Sequence, residues 1–220
     1  MSDTPIYDVS HTDHSAGEYR ERIDAAVGAI RDGRLIVMPT DTVYGVAADA
    51  FSPEAVGALL AAKKRGRDYP VPVLVGNIGV LAGLVVEVSG DAQKLADAFW
   101  PGPLTIIVHY SPTLAWDLGQ TGGSVAVRMP DHPVALDVLS RTGPLAVSSA
   151  NTHGNQPGHD ASAAREQLGD AVSVYLDAGA IQDGVPSTIV DCTGDRLVVV
   201  REGALTLADL ASVVPQIQRD

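Results

Sequence analysis

Apolar positions along this chain follow two alternating periods. Tyr19, Ile23, Ala26, Val27 and Ile30 recur at helical spacing, and Gly33 stands where that helix would stop. Ser15-Ala16-Gly17-Glu18, just before them, has the composition of a capping box. Leu35 to Met38 is a short apolar run with two β-branched residues, the pattern of a buried strand, and Pro39 ends it. Thr40, Asp41 and Thr42 form a small polar loop. Ser52 and Pro53 then occupy the preferred cap and first-turn positions of a second helix, with Glu54 near its positive end. This helix runs apolar to Ala62 and finishes in Lys63, Lys64, Arg65 and Arg67, with Gly66 placed to break it. Val71 to Val75 reads as the next strand.

The alternation continues to the end of the chain. Ile78 to Val86 predicts a short helix without a clear period, and Ser89 or Asp91 caps another that Phe99-Trp100-Pro101-Gly102-Pro103 breaks. Phe99 and Trp100 read as core packing. Strands are predicted at Leu104 to Val108 and Ser124 to Val127, separated by a loop or short helix over Thr113 to Gly123. Asp131 caps a helix that carries Pro133 in its first turn and Gly143 after its end. The strand Leu145 to Val147 runs into Ser148-Ser149-Ala150-Asn151, Asp160 caps a helix to Leu168, and Val172 to Leu176 is a further strand. Ser187 to Asp191 and Leu197 to Val200 predict an antiparallel hairpin, and Thr206 caps a last helix. No repeat, linker or shift in composition divides the chain. The expected fold is a single α/β domain over residues 15–214, a twisted sheet of mixed parallel and antiparallel strands flanked by helices, with polar tails at 1–14 and 215–220.

Composition narrows the function classes. The 220 residues include 22 glycines and 14 prolines, with 45% hydrophobic content, as in a folded, turn-rich protein. No apolar run is long enough to span a membrane, and the N-terminus lacks the basic and apolar regions of a secretory signal, so a cytoplasmic protein without membrane contact is expected. Cys192 is the single cysteine, which excludes an internal disulfide and a cysteine-rich metal site. His11 and His14 lie three apart in the tail with no helix signal to align them, so no metal site is assigned. The net charge of -12 opposes generic binding to nucleic-acid backbones but leaves room for a local anion pocket.

Several residues could build such a pocket, each with a plainer alternative. Lys63 and Arg65 either complement the helix dipole as solvated bases or bind an anion; at i and i+2 they converge only if the helix unwinds there, which Gly66 allows. Arg128, at the end of an apolar strand, suits a planar carboxylate or a structural salt bridge. Ser149 and Asn151 fall on one side of an extended chain, where both can donate to phosphate oxygens or simply make a turn. Asn77 follows its strand directly, and its amide either faces the same site or forms a turn. Neither a P-loop nor a dinucleotide-binding glycine motif is present, so ATP would be held by dispersed side chains. No nucleophile–base set has motif support.

Pro39-Thr40-Asp41-Thr42-Val43-Tyr44-Gly45, followed by Lys63-x-Arg65 and by Pro70-Val71, resembles the YrdC-like family of threonylcarbamoyl-AMP synthases. Phe99 to Thr105, Ser149-x-Asn151, Ser187 to Asp191 and Val200 to Gly203 are similar to family segments in the same order, so the likeness runs from about Tyr19 to Gly203. The family often has proline where this chain has Gly66, which implies a looser turn, and the residues after Asn151 match with a shifted spacing that leaves His153 and His159 without a role. The resemblance implies a YrdC/RibB-like fold and a nucleotidyltransferase that joins L-threonine, bicarbonate or CO2, and ATP into threonylcarbamoyl-AMP and pyrophosphate. It implies Mg2+ carried on the ATP, and a product passed to a tRNA threonylcarbamoyl transferase complex. Lys63 and Arg65 would hold phosphates with Ser149 and Asn151; Ser187 and Arg201 would fix the nucleotide; Thr40, Arg128 and Asn77 would hold threonine. The absence of a long extension after Gly203 suggests the family's short form. A non-catalytic tRNA- or double-stranded-RNA-binding factor and a carbamoyl-phosphate-dependent adenylating enzyme are the alternatives.

Overall fold

The computed structural model describes residues 4–10, 17–181 and 184–219. Its strands are β1 (Ile6–Asp8), β2 (Ile36–Met38), β3 (Gly45–Asp49), β4 (Val73–Leu74), β5 (Leu104–His109), β6 (Ser124–Arg128), β7 (Leu145–Ser149), β8 (Val174–Asp177), β9 (Thr188–Asp191), β10 (Val198–Arg201) and β11 (Gln218–Arg219). The α-helices are α1 (Gly17–Arg31), α2 (Pro53–Ala62), α3 (Leu81–Leu84), α4 (Gly90–Phe99), α5 (Pro133–Thr142), α6 (Ala161–Leu168) and α7 (Leu207–Val213). All the strands join one sheet in the order β1-β8-β2-β3-β7-β4-β6-β5-β9-β10-β11. Parallel pairs such as β2 with β8 and β4 with β6 alternate with antiparallel pairs such as β2 with β3 and β5 with β6, so the sheet is mixed.

Side chains leave the central strands alternately, and the two faces become two cores. Ile36 and Met38 of β2, Ala47 of β3, Leu145 of β7 and Leu176 of β8 pack beneath α1 and α5. Val37, Val46, Ala146 and Tyr175 point the other way, toward α2, α4 and α6. The helical face expected at Tyr19, Ile23, Ala26, Val27 and Ile30 is the face α1 buries. Caps read from sequence at Ser52, Ser89, Asp160 and Thr206 each accept a backbone N–H, and Thr206 makes a reciprocal capping box with Asp209. Trp100 is buried and donates its indole N–H to the Leu104 carbonyl at 2.7 Å.

Several expectations are corrected. Gly45–Asp49 is a strand, so the loop after Met38 is the turn of an antiparallel hairpin. The terminal segments read as tails contain edge strands: Ile6–Asp8 pairs with β8, and Gln218–Arg219 pairs with β10. His132, not Asp131, caps α5: its Nδ1 accepts the Val134 N–H at 3.3 Å, and the Asp131 N–H donates to the Asp41 carboxylate at 3.0 Å. Ile78 to Val80 forms a 3-10 turn that runs into the four-residue α3. Ser15, Ala16 and the histidines at 11 and 14 lie outside the described residues.

Ile23 is fully buried between α1 and the sheet. Ile23→Ala should cost about 2–5 kcal/mol in chemical denaturation, whereas Val200→Thr, at a site 51% exposed, should stay within about 0.5 kcal/mol.

Candidate active site

The C-terminus of α2 sets up the site. Lys63 is its cap residue, the Lys64 N–H bonds the Ala61 carbonyl, and the Arg65 N–H bonds the Leu60 carbonyl, both at 2.9 Å. That pair of bonds is a Schellman motif, which needs a left-handed residue at Lys64. Lys64 adopts φ 55, and the chain reverses there rather than at Gly66. The reversal lets side chains two apart in sequence serve one region. Lys63 turns inward and becomes fully buried. Its Nζ donates to the Ser149 carbonyl and to the Asn151 carbonyl at 2.7 Å, with Asn151 Oδ1 at 3.3 Å and Ser149 Oγ at 3.5 Å. No carboxylate is among these partners, and burial, with Arg65 nearby, pulls its ammonium down to about 7.

A cavity of about 300 Å³ opens beside this contact. The loops after β2 and β7, the segment after α2 and the β9–β10 hairpin wall it, and Arg65, Arg128 and Arg201 supply its charged side chains. Pro70, Pro72, Pro157 and Pro186 give rigid apolar surface between them. At Gly45 a Cβ would fall 2.6 Å from Val147 Cγ1, so β3 and β7 form the floor only because that residue has no side chain.

Each arginine is held differently. Arg65 donates to Ser148 Oγ at 3.3 Å, and its Cζ lies 5.4 Å from the Tyr69 ring centroid. Arg128, 6% exposed, pairs with Asp41 and also bonds Thr42 Oγ1 at 2.7 Å and the Gly102 carbonyl at 3.0 Å. Burial lowers the Arg128 pKa and Asp41 opposes the shift. These bonds use one N–H on each of its three nitrogens and leave two of the five for a ligand. The salt-bridge alternative is realised, and the pairing leaves donors over. Arg201 reaches the cavity through a β-bulge: Val199 pairs with Val190, but Arg201 rather than Val200 lies opposite Ile189. Its guanidinium donates to the Ser187 carbonyl at 2.6 Å and lies 3.3 Å from Ser187 Oγ, which bonds Thr105 Oγ1 at 2.8 Å.

Thr40, Arg65, Arg128, Ser149, Ser187 and Arg201 thus line one cavity, as the sequence suggested, and Lys63 and Asn151 lie behind its wall. The Asn151 amide donates to the carbonyls of Thr152 and Asn155, so it braces the loop. The Thr40 hydroxyl donates to the Val43 carbonyl at 2.7 Å and accepts the N–H groups of Thr42 and Val43, which leaves Thr42 as the hydroxyl facing Arg128. Asn77 is not brought to the cavity. It caps the turn after β4 with its Oδ1 and borders a separate hollow with Leu139 and Gly143. Sequence reading missed Thr105, Ser148 and Tyr44. The fully buried Tyr44 donates to the Gly179 carbonyl at 2.7 Å and accepts the Ala178 N–H, tying the loop after β8 to the hairpin of β2 and β3.

A family model named for Sua5, YciO and YrdC, and described as telomere recombination, matches residues 28–203. The chain belongs to this family. It is 54% identical over 198 residues to a Mycobacterium tuberculosis protein, covering 90% of this chain and 91% of the relative. Against the Pyrococcus abyssi threonylcarbamoyl-AMP synthase it is 36% identical over 207 residues, or 90% of this chain but only 60% of that longer protein. Its fold matches the P. abyssi Sua5 crystal structure complexed with L-threonine at a TM-score of 0.91 and 33% identity, covering 99% of this chain and 63% of the other.

Removing the Lys63 ammonium would strand two buried carbonyls and leave a void. Lys63→Ala should lose about 3 kcal/mol or more of stability. Arg65→Ala, at a half-buried position, should melt close to the parent in the same thermal scan.

Proposed function

We propose that this chain is a threonylcarbamoyl-AMP synthase, joining L-threonine, bicarbonate or CO2, and ATP, and releasing pyrophosphate. The observation that carries the reading is a cavity with three arginines and no carboxylate among its lining residues, in a chain of net charge -12. Such a cavity concentrates charge on anions while the rest of the surface repels polyanions. Membership of the family and the likeness to a synthase with L-threonine bound support the choice of anions.

In this reading the neutral amine of threonine first adds to CO2: a C–N bond forms as one C=O π bond breaks, and the nitrogen gives up a proton to solvent, leaving a carbamate. A carbamate oxygen then attacks the α-phosphorus of ATP in line, the bond from that phosphorus to the bridging oxygen breaks, and pyrophosphate leaves with the electron pair. The protein's work is to position two anions and to stabilise charge in a dry cavity. Arg128 holds the threonine carboxylate with its two free N–H groups, and Asp41 fixes the guanidinium plane. Arg65 meets the phosphates, and Lys63 holds the Ser149-to-Asn151 segment from behind. Arg201 and Ser187 border the nucleoside. Mg2+ enters as part of the nucleotide substrate, because no carboxylate is among the residues that line the cavity. The adenylate is chemically an activated acyl donor, to be consumed by a transferase that modifies tRNA.

Pyrophosphate release from MgATP, with threonine and bicarbonate omitted one at a time, tests this. Release should need both, with threonylcarbamoyl-AMP found by mass; release indifferent to threonine would discard the proposed acceptor.

Lys63 adds a pH signature. With its pKa near 7 in the ligand-free protein, it is mostly neutral at pH 8, and a polyphosphate bound at Arg65, across the Ser149 wall, favours the charged form. Binding of MgATP at pH 8 should take up close to one proton, as read by calorimetry in buffers of different ionisation enthalpy. Uptake should fade by pH 6, where Lys63 is already charged, and vanish in Lys63→Met. Equal uptake by that variant would assign the proton elsewhere.

A further inference from the structure

His153 follows the Ser149-to-Asn151 segment and had no role in the sequence pattern. Its placement is determined by the same residue that holds that segment. The His153 N–H donates to the Lys63 carbonyl at 2.8 Å, while Lys63 Nζ bonds the carbonyls of Ser149 and Asn151. Lys63 therefore fastens the loop on both sides of Thr152, and the imidazole comes to rest against Arg65. Its Nδ1 accepts the Arg65 Nε–H at 3.4 Å. Tyr69 completes the group: its ring meets the imidazole edge-on at 5.1 Å and lies under the Arg65 guanidinium.

The Arg65 partners have one property in common. None of Ser148, His153 and Tyr69 carries a carboxylate, and among the described residues no carboxylate pairs with this arginine. Arg128, by contrast, spends part of its charge on Asp41. An unpaired arginine keeps its full charge for a ligand but loses the restraint that an ion pair provides, and its long side chain has rotamer entropy to suppress. A neutral acceptor at Nε and an aromatic face restrain the guanidinium without cancelling its charge. The Nε bond leaves the two Nη groups, of which Nη1 gives one N–H to the Oγ of Ser148, a residue that lines the cavity together with Arg65.

We propose that His153 and Tyr69 are positioning residues that hold Arg65 in its phosphate-binding orientation while leaving its charge intact. This rests on the reading of Arg65 as a phosphate ligand. Neither residue is among those that line the cavity. An asparagine at 153 can place Oδ1 where the imidazole places Nδ1, so it supplies the acceptor without the ring.

The test compares wild type, His153→Ala, His153→Asn and Tyr69→Ala in two assays. In the first, calorimetry measures the Kd for inorganic tripolyphosphate with no threonine present. His153→Ala and Tyr69→Ala should each weaken binding about tenfold, and His153→Asn should return to within about threefold of wild type. In the second, pyrophosphate release should show the same rise in KM for ATP, with KM for threonine unchanged and kcat within about twofold. An unaltered Kd in His153→Ala overturns the proposal, as does a loss that asparagine does not restore or an equal rise in both KM values. Absence of tripolyphosphate binding by wild type overturns it too. The two readings fail separately: the expected binding pattern without turnover sinks the synthase and keeps the positioning role, and normal turnover with no effect at 153 does the reverse.

Discussion

A buried lysine nitrogen holds the site together. Lys63 has no exposed surface, and its Nζ is the donor that joins the end of α2 to the end of β7. Taking a lysine out of water is costly, and neutral oxygens return only part of its hydration. The contact persists because the helix ends in a Schellman motif with Lys64 left-handed, which turns residue 63 inward before the chain reverses. From that contact follow the positions of Ser149 on the cavity wall, of Asn151 behind it, and of the loop that carries His153. The cap of one helix thereby determines the course of the single segment from Ser149 to His153.

Charge is distributed with the same economy. The chain carries 27 acidic and 15 basic residues, yet the cavity gathers three arginines. They sit at a helix end, a strand end and a bulged hairpin, and each meets a different kind of partner. Asp41 anchors Arg128, backbone and hydroxyl oxygens anchor Arg201, and uncharged side chains anchor Arg65. Available positive charge is therefore least at Arg128, while Arg65 and Arg201, without a carboxylate partner among the described residues, keep theirs. That order matches a site in which a single carboxylate must be oriented and a triphosphate must be stabilised as its charge redistributes.

Much of this was legible in the sequence, for reasons that differ by element. The α1 face and the caps at Ser52, Asp160 and Thr206 are local signals, so period and capping chemistry found them. Strand β3 was missed because Gly45, Ala47 and Ala48 lack the β-branched bulk that marks a strand; sheet pairing on both sides overrides their weak propensity. The edge strands β1 and β11 are two or three residues long and have no pattern to read. At the site, motif spacing located the arginines and Ser149 but not their geometry. The left-handed Lys64 carries no glycine to announce it, and the bulge that aims Arg201 depends on pairing with β9. Asn77 was misplaced because a strand end looks alike in sequence whether it opens on the cavity or on the far hollow. Thr40 was read as a ligand hydroxyl, and its turn consumes that hydroxyl.

The central claim is that one cavity holds both substrates, with phosphate at Arg65 and the amino-acid carboxylate at Arg128. A crystal structure with L-threonine and a non-hydrolysable ATP analogue tests it most directly. The account predicts phosphate oxygens within hydrogen-bond distance of Arg65 Nη atoms, the threonine carboxylate on Arg128, and Lys63 still bonded to the carbonyls of Ser149 and Asn151. A nucleotide seated outside this cavity, or threonine bound without Arg128, would contradict it.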